Sequence, residues 1–372
     1  MNLLVLILFF IIAAIFHQAL YVLIPITSVG YLLIRKTPKL TLDPVVKLYF
    51  KVVVVATLFF LLQSLMNSDI AIYSIKGIAR YVSYFLFAVL VLSLDTVQIK
   101  NFFKIVITFF AITLPLGFYQ VWALGRYQSF FNHANPFAYV LCICIYFLIF
   151  HNPFNRLTRN GLLFLLFFSL VLTKSSGAML VLLALLGFEL FKSKRISLVQ
   201  KLLFVFGFLV ICVVVLLSSE KITSQLDSIN YLNWDFLKDR VEQFKTGGYG
   251  SFIWRVIYWI KILFSFYEES VGKILFGVGV DTMTEGNMPY PYMYKDPHND
   301  FLKVLVEFGV IGVLLFLWFF KKIYELTNKN FKIIILVIVP IFFGNTIVNF
   351  PFNLTLLLLL AYEYKQHYIK GS

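Results

Sequence analysis

Apolar runs of membrane-span length recur from one end of the chain to the other, separated mostly by short polar joints. A span needs roughly 20 predominantly apolar residues, with a range of about 17–25. On that measure the runs place helices near 2–16, 19–34, 52–66, 77–94, 104–122, 137–150, 161–173, 177–191, 198–217, 300–320, 333–349 and 351–364. The pattern predicts an all-α, polytopic membrane fold of about 12 transmembrane helices with one large helical loop. It divides the chain into helices 1–9 over residues 1–217, the loop over 218–299, and helices 10–12 over 300–372. The apolar N-terminus lacks a basic flank and a small-residue cleavage site, so it reads as a first span.

The loop has a pattern of its own. Over 231–245, Leu232, Phe236, Leu237, Val241 and Phe244 recur at helical spacing. Gly247, Gly248 and Gly250 then break the chain, and Ser251 can cap a second helix, SFIWRVIYWIKILFSFY. That stretch is apolar and aromatic with Arg255 and Lys261 embedded, the mark of an interfacial or re-entrant helix. A turn-rich piece, FGVGVDTMTEGNMPYPYMYKDPHND, leads into the next span.

Alternate joints carry basic clusters: Arg35, Lys36 and Lys39; Lys100 and Lys104; Arg156 and Arg159; Lys192, Lys194 and Arg195; Lys321 and Lys322; Lys365 and Lys370. Lys and Arg are retained on the cytoplasmic side of a membrane. The alternation predicts cytoplasmic termini and an extracytoplasmic loop, with any chemistry facing the periplasm or cell exterior.

Composition agrees. Residues are 60% hydrophobic and only 13% charged, about half the roughly 25% of a soluble domain. The net charge of +14 would suggest nucleic acid in a soluble chain; here topology accounts for most of it, and no nucleic-acid partner is expected. Cys142, Cys144 and Cys212 all sit in apolar spans without CxxC or Cys/His spacing, which argues for inert thiols. No metal cluster or nucleophile elbow is visible, and GVG at 277–279 lacks a phosphate-loop lysine. Neither metal nor cofactor is expected, nor are cytosolic activated donors, for want of a soluble nucleotide-binding domain. A secondary transporter or flippase remains open, although the two similar halves common in such folds are not seen.

His298 is the most informative side chain. It precedes the span that begins near Asp300, where a helix N-terminus disfavours imidazolium and can hold an anion. A neutral histidine there can take a proton at neutral pH; equally, His298, Asn299 and Asp300 can simply cap the helix. Arg255 interrupts FIWRVIYWI, where a guanidinium is costly. It either faces a cavity, where it would match phosphate, or snorkels to the headgroups. Arg80, Arg126 in GRYQSFFNHANPF, Lys174 in TKSSG and the accompanying His133 lie on the outer side as well. Singly they are interfacial anchors; together they would line a cavity for a multiply charged anion. Lys303 and Glu307 are spaced to pair with each other.

FFNHANPFAYVL (130–141), LTKSSGAMLVLL (172–183), WRVIYW followed by ILFGVGVDTM, and PHNDFLKVLVEFGVIG (297–312) together resemble the bacterial O-antigen polymerase and ligase superfamily over the C-terminal two-thirds of the chain. The family's arginine one residue before the glycine of TxSRGA is replaced by Ser176, with Lys174 nearby. The resemblance implies metal-independent, inverting glycosyl transfer of the membrane-embedded GT-C class, from an undecaprenyl-diphosphate-linked glycan to a glycan acceptor, at the bacterial inner membrane. It assigns catalysis to His298 and Arg255 and diphosphate binding to Arg80, Arg126 and Lys174, with Asn299 and His133 in support. Membrane lipids and a chain-length regulator are the other partners implied. A polymerase is preferred over a ligase, and the chain looks short for a protein-modifying oligosaccharyltransferase.

Overall fold

The computed structural model describes residues 2–15, 43–66, 71–131, 133–194, 197–201, 251–283, 289–290, 293 and 296–368. Every regular element among them is a helix. In chain order these are α1 (Asn2–Ile15), α2 (Pro44–Met66), α3 (Ala71–Leu92), α4 (Thr96–Ile112), α5 (Leu114–Leu124), α6 (Ala134–Phe150), α7 (Arg156–Leu172), α8 (Ser176–Lys192), α9 (Ser251–Tyr267), α10 (Val271–Phe276), α11 (Asp300–Leu326), α12 (Phe331–Phe343) and α13 (Phe350–Tyr368). The span expected at 19–34, the span expected at 198–217 beyond residue 201, and the loop helix at 231–245 lie outside the described residues.

Three helices, within Pro44–Leu65, Ser74–Leu92 and Asp300–Leu326, are long and apolar enough to cross a membrane, and α4 with α5 makes a fourth if the bent pair counts as one span. The protein is therefore multi-pass, but the expected twelve spans are not established. At 1.5 Å per residue the 13 residues of α12 reach about 20 Å, short of a hydrocarbon core of about 30 Å.

Two expected spans are corrected. The run 104–122 is two helices bent by 53°. Pro115, in the first turn of α5, cannot donate to the helix before it, so the chain turns at Thr113. The run 333–349 stops being helical at Phe343; Gly344 is extended, and the segment 344–349 does other work described below.

α6 is apolar on all sides and is buried almost throughout, from Phe137 to Leu148. α4, α7, α8, α12 and α13 surround it. At the end of α6 expected to be cytoplasmic, buried Glu363 of α13 accepts from Tyr146 Oη at 2.8 Å and lies 2.9 Å from His151 Nε2.

α11 carries the second organising feature, a break at Gly309 (φ 69°, ψ −170°). At the break the Val306 and Glu307 carbonyls accept from outside the helix, from Val278 N–H at 2.8 Å and Gln63 Nε2 at 2.7 Å. Gln63 of α2 also donates to Phe276 O at 2.7 Å and accepts from Val280 N–H at 2.9 Å. The GVG turn is thus stitched to α11 backbone against backbone, which leaves no room for side chains. A Cβ on Gly277 would stand 2.2 Å from Glu307 O, and one on Gly309 2.3 Å from Leu275 O. Both glycines also have positive φ. Gly309→Ala should therefore destabilise the fold by about 2–4 kcal/mol, combining left-handed strain with overpacking. A melting temperature in detergent equal to that of the unaltered protein would show that this contact opens freely.

Candidate active site

The sequence HND begins α11, and the structure gives each residue a separate task. Asn299 is the N-cap: its Oδ1 accepts the Leu302 N–H at 3.0 Å. Asp300 is fully buried and holds 344–349, its Oδ2 accepting Thr346 N–H at 2.6 Å, Thr346 Oγ at 2.5 Å and Ile347 N–H at 3.1 Å. Those bonds are why the chain after Phe343 is not helical. Capping is thus done by Asn299, not by the His298 imidazole.

His298 sits on a left-handed turn (φ 53°), and its N–H donates to Asp296 Oδ1 at 3.0 Å. α9 grips the turn from the side. Trp259 Nε1 donates to Pro297 O at 2.6 Å, and the Trp254 ring meets the His298 ring edge to face at 6.5 Å. The half-buried imidazole is therefore placed beside the N-terminal part of α9.

Arg255 follows Trp254 directly. Its Nε is buried with no hydrogen-bond partner. Burial lowers the guanidinium's pKa, Tyr139 opposes that shift, and Arg126 adds to it. Two cations therefore lie within electrostatic reach of each other in a partly dry place.

Arg126 and Lys174 belong to one corner. Arg126 donates through Nε to Thr173 O at 2.8 Å and through Nη2 to Asn135 Oδ1 at 2.7 Å. Tyr127 N–H reaches Leu172 O at 3.0 Å. The Arg126 loop is in this way docked on the TKSSG turn, with Nη1 outside these bonds. Burial also lowers the Arg126 pKa. Lys174 is exposed at the top of that turn in a left-handed conformation (φ 51°). His133 occupies the N-cap position of α6, exposed, and makes no side-chain cap bond.

Arg80 goes elsewhere. Its Nη1 and Nη2 lie 2.9 and 3.4 Å from the two Asp281 oxygens, in a pair that is almost wholly buried. Arg80, expected to help bind a diphosphate, is paired here with Asp281, and a buried guanidinium needs such a counter-ion. Lys303 does face Glu307 at 3.8 Å, as its spacing predicts, but it is shared with Asp296 at 3.5 Å.

Tyr139 is the residue the sequence reading missed. It lies within electrostatic reach of both Arg255 and Asp300. Its hydroxyl also explains the glycine of TKSSG: a Cβ on Gly177 would come 2.4 Å from Tyr139 Oη. The signal available was only a tyrosine inside the apolar run FAYVL.

No curated protein matches the chain. Residues 161–317, which carry Lys174, Arg255, His298 and the Gly277–Gly309 contact, match the family model described as O-Antigen ligase, and this match supports the resemblance to the O-antigen polymerase and ligase superfamily.

Proposed function

We propose that the protein is an O-antigen or capsular polysaccharide polymerase, joining undecaprenyl-diphosphate-linked repeat units on the outer face of the bacterial inner membrane. The observation that carries the reading is the meeting of two chemistries on α9. Trp254 touches the His298 ring, while the adjacent Arg255 holds a buried, unpartnered Nε within reach of Arg126.

In this reading Arg255 and Arg126 hold the donor diphosphate, with Lys174 at its exposed edge. The acceptor hydroxyl attacks the anomeric carbon from the face opposite the leaving group, so the configuration inverts. His298 takes the hydroxyl proton as the new glycosidic bond forms. The old bond breaks, its electron pair leaving with the lipid diphosphate. Fixed guanidinium groups in a partly dry site stabilise the negative charge that develops there. Arg80 serves the scaffold, and Asn299 sets the start of α11. An apolar cavity of about 160 Å³ lies between α2, α11 and α13, bordered by Val304, Phe308, Phe316 and Ile347. It can take at most a short piece of a donor's hydrocarbon chain beside the site, since Ile347 also bonds Asp300.

A ligase is the second reading, favoured by the matched family's own description. The glycan ladder of a deletion strain separates the two. Loss of length with a single repeat retained is the expected result and marks a polymerase. Loss of all glycan from the lipid A core, with lipid-linked polymer accumulating, marks a ligase. An unchanged ladder overturns both.

A further inference from the structure

Lys303 is buried in α11 (1% exposed), and its Nζ has no hydrogen-bond partner, only two ion-pair contacts. A buried ammonium costs several kcal/mol unless it is paired. Glu307, at 3.8 Å and on the same helix, would be enough to explain a structural pair. It does not explain why Asp296, in the preceding loop, is drawn to within 3.5 Å of the same nitrogen. Asp296 is divided between two tasks. Its Oδ2 faces Lys303, while its Oδ1 accepts the His298 N–H. Three groups are thus in series: ammonium, carboxylate, histidine backbone.

The neighbouring elements supply the rest of the charge. From α3 and the turn after α10 come Arg80 and Asp281, already paired with each other, and both act on Lys303. Glu307 accepts the Met283 N–H at 2.9 Å. On the His298 side stand Asp300 of α11 and Arg255, next to Trp254 on α9. Of these carboxylates Asp296 is the one hydrogen-bonded to the His298 backbone, and Lys303 is the cation paired with it.

We propose that Lys303 is a positioning residue that neutralises Asp296, fixing the left-handed His298 turn and keeping the imidazole free of its extra proton at neutral pH. This rests on His298 acting as the base. The sign follows from Coulomb attraction. Without Lys303 the Asp296 charge is uncompensated and favours imidazolium. The imidazole then holds its proton to higher pH, and the acid limb of the pH–rate profile moves up.

The test uses full-length protein in nanodiscs and three variants: Lys303→Met, Asp296→Asn and the double variant. Asn at 296 keeps an oxygen for the His298 N–H and removes only the charge. Two readouts are followed, the acid limb of kcat/KM with a synthetic lipid-diphosphate donor and the His298 titration by NMR of ¹³C-labelled histidine. Lys303→Met should raise both midpoints by about one pH unit, the order of effect of one uncompensated nearby charge. Asp296→Asn should lower them, and the double variant should return close to the unaltered values. If Lys303→Met does not fold, Asp296→Asn, which alters a side chain 16% exposed, carries the test alone. Midpoints that do not move in the folded variants overturn the proposal, even where kcat falls. The NMR titration needs no turnover: a shift there without a matching shift in rate retains the charge coupling and discards His298 as the base.

Discussion

His298→Ala is expected to lower turnover by about 10²–10⁴-fold, the usual contribution of a general base, while binding of the lipid-diphosphate donor is kept. The substitution leaves the helix start in place. The cap of α11 is the Asn299 side chain, and the Asp300 clamp on Thr346 is untouched. The residue cost is that of an alanine at φ 53°, about 1–2 kcal/mol, which His298→Asn avoids because asparagine tolerates the left-handed region. His298→Gln should not restore the rate, since an amide can hydrogen-bond a hydroxyl but cannot take its proton. Full turnover in the Gln variant would make His298 a positioning group for the acceptor. Full turnover in the Ala variant would remove it from the chemistry altogether.

The parts of this site that were legible in the sequence are those set by local rules. The α9 stretch was readable from one capping serine and its run of apolar and aromatic residues, and the structure forms α9 over the same residues, Ser251–Tyr267. Lys303 and Glu307 were readable as an (i, i+4) pair. The special standing of HND was readable from its place before an apolar run, although the division of labour between capping and chemistry was not. What escaped were contacts across long separations. Arg80 and Asp281 are 201 positions apart, and nothing near either of them announces the other. Tyr139 is one apolar-flanked aromatic among many until Gly177 and Arg255 are brought beside it. Gly277 and Gly309 read as an ordinary turn and a helix residue, because a backbone-to-backbone contact has no side-chain pattern. The break at Thr113 has a local signal in Pro115, but the run 104–122 is continuously apolar and so reads as one span. The 344–349 segment looked helical for the same reason, since apolar periodicity cannot register a carboxylate waiting for its N–H groups.

Arg255→Ala is expected to lower transfer by about 10²–10³-fold, the loss that follows removal of one fixed donor to a developing anion. Arg255→Lys should recover only part of it. A lysine restores the charge, but it lacks the planar fork that bonds two phosphate oxygens at once. Stability should behave differently from activity. Nε of Arg255 is buried without a partner, so the resting protein carries an uncompensated polar cost there. Removing the guanidinium relieves that cost, and the Ala variant should melt no lower than the unaltered protein. Arg126 gives the contrast. Its Nε and Nη2 already bond Thr173 O and Asn135 Oδ1, so Arg126→Ala should lose activity and melting temperature together as its loop comes away from the TKSSG turn. Transfer rates and detergent melting curves for the three variants measure both quantities. Near-normal transfer by well-expressed Arg255→Ala protein would return Arg255 to the role of a membrane anchor. A fall in melting temperature as large as that of Arg126→Ala would make it a structural residue whose partner forms only in the folded membrane-bound state.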